Sequence, residues 1–113
     1  MSQKSKPCKV KIYVYTYLKE LYQPAPGKPS LPLPTLSQAF QEFMDYNLLE
    51  LIKDKELWKM DYRLGVKPTT IKVRCDTAEL WEGLLPEQKE HVLFWFNDSL
   101  AVRVDKFLGG LLR

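Results

Sequence analysis

The sequence predicts a small α+β protein in the order strand, Pro-rich loop, helix, strand, helix, helix. Three observations predict it. Residues 9–18 and 69–75 alternate apolar and polar side chains and are rich in β-branched and aromatic types, the pattern of half-buried strands. Three later stretches repeat apolar residues every three or four positions, as amphipathic helices do. Between the first strand and the first helix, Pro24, Pro26, Pro29, Pro32 and Pro34 with Gly27 exclude both regular structures. With 113 residues, 45% hydrophobic and 27% charged, the chain suits one compact domain. Residues 1–34 form a basic arm, strand and Pro-rich loop, and residues 35–113 a helical and strand-helix-helix region. A core of this size is modest, so self-association would add stability.

Residues 1–8 read as a Lys-rich arm. From Lys9 to Leu18, Val10, Ile12, Val14, Thr16 and Leu18 face one side, and Lys9, Lys11, Tyr13, Tyr15 and Tyr17 the other. The Pro-rich loop is expected to be extended, with Leu31 and Leu33 as anchors. Thr35-Leu36-Ser37-Gln38 matches a capping box. Behind it Leu36, Phe40, Phe43, Met44, Leu48, Leu51 and Ile52 make one stripe, predicting a helix to about Trp58. Gly65 and Pro68 break the chain before the second strand, Thr69 to Cys75. Asp76 or Thr77 is expected to cap the next helix, which carries Leu80, Trp81, Leu84 and Leu85. Pro86 suits the first turn of the last helix. That helix buries Val92, Phe96, Leu100, Val104, Phe107 and Leu111 until Gly109-Gly110 weakens it.

The net charge of +3 is mild, but its distribution is uneven. Residues 1–66 hold ten Lys/Arg and seven Asp/Glu, while residues 67–113 hold seven of each. Lys4, Lys6, Lys9 and Lys11 precede any acid. Cys8, Cys75 and His91 lack metal-ligand spacing, so neither a metal nor another cofactor is expected. Reduced thiols in a cytoplasmic protein are the expectation, with a disulfide as the alternative. No apolar leader or long uncharged apolar run is present, which predicts a soluble protein without a membrane partner.

The most informative stretch is Thr69-Thr70-Ile71-Lys72-Val73-Arg74-Cys75-Asp76, running into Thr77-Ala78-Glu79-Leu80-Trp81. Its order of elements across 69–108 resembles the ribbon-helix-helix family of DNA-binding proteins. The resemblance implies a homodimer whose paired strands enter the major groove of duplex DNA, with Thr70, Lys72 and Arg74 reading bases. It implies sequence-specific binding and a small transcriptional repressor. Phosphates would be met by Lys4, Lys6, Lys9, Lys11, Lys67 and Lys89. The start of the last helix departs from the family pattern, because Pro86 lacks a donor and Glu87 and Glu90 repel phosphate. The two basic strands also fit one sheet inside a single chain, if residues 9–18 pair with 69–75.

Two further readings stand beside this one. The row Tyr13, Tyr15 and Tyr17 with Lys9 and Lys11 would stack bases of a single-stranded nucleic acid. The aromatics and the proline loop would suit a non-catalytic adaptor or assembly factor that binds a protein partner. Trp58, Trp81 and Trp95 are expected in the core and His91 at a surface or interface. Phe94, Trp95 and Phe96 cannot all point inward, which favours a dimer interface. The carboxylates fall at spacings of solvated helix faces, and no nucleophile or Gly-rich phosphate loop occurs. An enzyme is not expected.

Overall fold

The computed structural model describes residues 7–29 and 31–112. The strand pattern produces β1 (Cys8–Tyr15) and β2 (Val66–Val73); the helical stripes produce α1 (Thr16–Tyr22), α2 (Leu36–Leu51), α3 (Cys75–Glu82) and α4 (Pro86–Leu112). The fold is α+β, a two-stranded antiparallel ribbon packed on helices. Cys8 stands opposite Val73, Lys9 opposite Lys72, Lys11 opposite Thr70 and Tyr15 opposite Val66. The basic strands therefore pair with each other in one chain, so one edge of β2 is already occupied by β1.

Alternation decides which face is dry. Val10, Ile12 and Val14 of β1 and Thr69, Ile71 and Val73 of β2 are buried, while Lys9, Lys11, Tyr13, Thr70 and Lys72 remain exposed. Phe40 of α2 meets Trp81 of α3 and Phe96 of α4 edge-on, with ring centroids 5.3 and 5.1 Å away. Leu18, Leu36, Val92 and Leu100 are fully buried with them. An isolated two-stranded ribbon is marginal in water, so this apolar backing is what keeps the strands together.

Side chains close part of each outer edge of the ribbon. On the β1 side, Asn97 of α4 is wholly buried; its Oδ1 accepts the Tyr15 N–H at 2.9 Å and its Nδ2 donates to the Tyr13 carbonyl at 3.1 Å. On the β2 side, the Lys72 N–H donates to Ser37 Oγ at 3.1 Å and the Arg74 N–H to Gln41 Oε1 at 2.9 Å. Pro68 has the same parity as Thr70 and Lys72, so its missing N–H falls where the β1–β2 ladder needs none.

Cys8 and Cys75 form a disulfide with Cα atoms 5.0 Å apart, which corrects the expectation of reduced thiols. The ladder explains it: Cys8 lies opposite Val73, and Cys75 follows two residues later. The bond joins residues 67 positions apart and so restricts the unfolded chain.

Several local expectations shift. The first strand stops at Tyr15 instead of Leu18, and Thr16–Tyr22 becomes α1. The Thr16 N–H donates to the Gly65 carbonyl at 3.0 Å as the last rung of the same register, after which Leu18 and Tyr22, four apart, both turn inward. α2 opens on the capping box of Thr35 and Gln38, as its sequence predicts, but ends at Leu51 and not near Trp58. Beyond it the Trp58 N–H is taken by His91 Nδ1 at 2.9 Å, a long-range bond that holds the backbone out of a helix. His91 is buried, not superficial, and its Nε2 lies 3.0 Å from Asp54 Oδ2. α3 begins at Cys75 with Arg74 as N-cap, and Asp76 sits in its first turn. α4 opens with Pro86 and passes through Gly109-Gly110 to Leu112. Trp81 is core, whereas Trp58 is half-exposed and stacks on Phe94, 5.2 Å between centroids. The rings expected at a dimer interface thus receive cover from their own chain.

Asn97→Ala leaves the Tyr15 N–H and the Tyr13 carbonyl without partners in a dry site. At about 1–3 kcal/mol per orphaned group, it should cost about 3 kcal/mol, seen as a lower denaturant midpoint with an unchanged slope. A loss under about 1 kcal/mol would show that the edge is closed by something else.

Candidate nucleic-acid interface

The sixteen residues of β1 and β2 contain Lys9, Lys11, Lys67 and Lys72 and no carboxylate. With the helices on the inner face, the outward face presents Lys9, Lys11 and Tyr13 beside Lys72, Thr70 and Pro68. Lys67, near the other end of β2, is exposed as well. Among the described residues, none of these four lysines enters an ion pair.

Lys9 and Lys72 are direct cross-strand neighbours. Because the Lys72 N–H is spent on Ser37, this is a non-hydrogen-bonded pair, the kind whose side chains approach most closely. Like charges facing each other there destabilise the ribbon. The face therefore carries an electrostatic cost that a bound anion would relieve.

The structure separates the other expected contact residues. Arg74 leaves the row: its Nη2 and Nη1 donate to Asp45 at 2.9 and 3.2 Å, and its Nε to Asp76 at 3.1 Å. Those carboxylates, Asp45 first, hold the guanidinium more firmly protonated, and Arg74 in turn lowers the Asp76 carboxyl below its usual range. The guanidinium expected to read bases is thus shared by two acids of its own chain, while its side chain stays half-exposed. Tyr15 is also withdrawn: it is buried, and its hydroxyl accepts the Asp61 N–H at 2.8 Å. Tyr17 belongs to α1, not to the strand, and stacks on Tyr15 at 6.2 Å. Of the expected tyrosine row, Tyr13 alone stays on the ribbon face.

Lys89 pairs with Glu82 at 3.3 Å and lies 5.8 Å over the Trp81 ring, so it belongs to the α3–α4 corner and not to the ribbon. Lys4 and Lys6 lie outside the described residues. The basic surface that remains is Lys9, Lys11, Lys67 and Lys72 with Thr70 and Tyr13.

Three residues that tie this surface to the helices carry no signal in the sequence. Ser37 and Gln41 hold the outer edge of β2, and Gln41 Nε2 also donates to Thr77 Oγ1 at 2.7 Å, fixing the start of α3. Tyr62 is the third. It is well exposed, and its hydroxyl donates to Glu90 Oε2 at 2.7 Å beside the Tyr15 end of the ribbon. Among the described residues, no group of three or more His, Cys, Asp or Glu side chains is placed to hold a metal ion. No described helix is long and apolar enough to cross a membrane.

No family model, curated protein or solved structure matches the chain.

The hydrogen bond to Glu90, then burial, pushes the Tyr62 phenol from 10.0 up to about 12. A raised folded value means that this bond contributes fully below pH 10 and is lost as pH rises through about 12. An ultraviolet phenolate titration should show a late component, from which Tyr62→Phe removes one tyrosine and Glu90→Gln returns one toward 10. A Tyr62 that ionises with the exposed tyrosines would contradict the bond.

Proposed function

We propose that the protein binds nucleic acid, duplex DNA foremost, through the outward face of the β1–β2 ribbon. The observation that carries this reading is an uncovered face with three lysines outside any ion pair among the described residues, two of them opposed, and no acid, with exposed Lys67 near the ribbon's other end. A two-stranded ribbon fits a major groove, and here one chain supplies both strands. On this reading Lys9, Lys11, Lys67 and Lys72 meet phosphates or guanine edges, and Thr70, with Lys72, reads bases from the middle of β2. A role as a small transcriptional repressor follows from such binding, with dimerisation adding a second half-site.

Duplex DNA is preferred to a single strand because one tyrosine on the face gives a poor stacking platform. The disulfide bears on location. Such bonds persist in oxidising compartments and are transient or regulatory in the cytoplasm. Cytoplasmic residence therefore goes with a bond that opens and closes.

Binding driven by these lysines should weaken steeply with salt. At about −0.9 per neutralised phosphate, four lysines give a slope of log K against log salt of about −3.6. Fluorescence anisotropy on a mixed-sequence duplex checks this. Lys9→Ala or Lys72→Ala should each make the slope shallower by about one, whereas Arg74→Ala should leave it nearly unchanged. If no binding is seen at low salt, the reading fails, and the half-exposed Trp58 with Tyr62 points instead to a protein-binding adaptor.

A further inference from the structure

We infer that the Cys8–Cys75 disulfide controls the ribbon face, holding Lys9 against Lys72 when oxidised and releasing the first residues of β1 when reduced. This deepens the polyanion reading of the same face and rests on it. Three features lead to it. Cys8 and Val73 are the last pair of the ladder, and the opposed lysines are the next pair in. The disulfide is thus the covalent clamp at the end where repulsion is concentrated. The two ends of β1 are also held differently. The Tyr13–Tyr15 end is fixed by the buried amide of Asn97 and by the Thr16 N–H on the Gly65 carbonyl. The Cys8 end has the bond to Cys75, after which Val10 is the first fully buried anchor. Finally, both cysteines are only partly buried, so a small thiol can reach them.

The chemistry is thiol–disulfide exchange with a dithiol. One thiolate of the reductant attacks a sulfur of the bridge to give a mixed disulfide and one free cysteine. The second thiolate then displaces the other cysteine, and the reductant leaves as its cyclic disulfide. Two electrons and two protons pass to Cys8 and Cys75. With the bridge open, the Lys9–Lys72 repulsion is relieved by parting of the strand ends, not by an anion. Lys9 then leaves the fixed array while Val10–Tyr15 stays paired. In the oxidised form the ends cannot part, and a polyanion is the remaining source of relief.

The test compares oxidised and dithiothreitol-reduced full-length protein by amide hydrogen exchange and by duplex binding. Reduction should increase exchange in the Cys8–Lys9 segment of β1 and leave β2, α2 and α4 protected. Affinity should fall about fivefold to tenfold, and the salt slope should become shallower by about 0.9 for each phosphate that is no longer neutralised. Lys72→Thr removes the repulsion, so in the reduced protein it should restore protection at Cys8–Lys9. Unchanged exchange there on reduction overturns the inference, as does loss of protection throughout the chain. Equal affinity and slope in both forms overturn it while leaving the ribbon reading intact. Failure of the oxidised form to bind duplex at low salt defeats the ribbon reading itself, and the control over binding with it.

Discussion

The amide of Asn97 occupies the place that a third strand would take beside β1. It accepts from Tyr15 and donates to Tyr13 at the spacing of a ladder, and it also donates to the Leu93 carbonyl of its own helix at 2.8 Å. One side chain thus fastens the strand to the helix that backs it. Buried amides of this kind are costly unless satisfied, and this one is satisfied on both sides. The remainder of the fold is arranged around that junction. Tyr22 reaches from α1 to the Leu100 carbonyl, one turn further along α4, at 3.1 Å. The segment after α2 is drawn in by His91, two turns earlier. α4 is therefore a spine that positions β1, α1 and the 52–61 segment, and the ribbon's outer face is what those attachments leave uncovered.

The ribbon's two faces obey opposite physics. Inside, β-branched residues meet Phe40, Phe96 and Trp81, and stability comes from area removed from water. Outside, the ammonium groups of Lys9, Lys11 and Lys72 stand without carboxylates, and two of them face each other. A surface ion pair is worth little, but an unrelieved repulsion at a close cross-strand site is a standing cost. Proteins retain such costs at sites that gain something on binding. Arg74 is the contrasting case. It lies one residue beyond β2, where Asp45 and Asp76 neutralise it, and there it acts as a tie between α2 and α3.

Much of the architecture was legible in the sequence because period-two and period-3.6 patterns are local. The strands around Ile12 and Ile71, the Thr35 capping box and the Pro86 helix start all rest on neighbours within a few residues. What was not legible depends on residues far apart in the chain. Alternation alone could not stop the first strand at Tyr15, since Thr16 and Leu18 continue it. Beyond the last rung, Thr16 to Gly65, β2 offers no further residues, and Tyr22 of α1 bonds to the Leu100 carbonyl of α4 instead. In the same way, the stripe through Leu51 and Ile52 pointed on to Trp58, and His91 overruled it from 33 residues away. The candidate face was half legible. Lys9, Lys11, Thr70 and Lys72 were readable as outward residues of strands. The removal of Arg74 and Tyr15 was not, because Asp45 and Asp61 reach them from other parts of the chain.

Pro68 has a consequence for the protein's behaviour at high concentration. A flat sheet margin with open amides is a template for neighbouring molecules, and growth along it ends in fibrils. Here the outer margin of β2 offers an imide at Pro68 and an amide already spent at Lys72, and that of β1 is plugged by a carboxamide at Tyr13 and Tyr15. Copies crowded together at high concentration would therefore resist fusing into a common sheet at these positions.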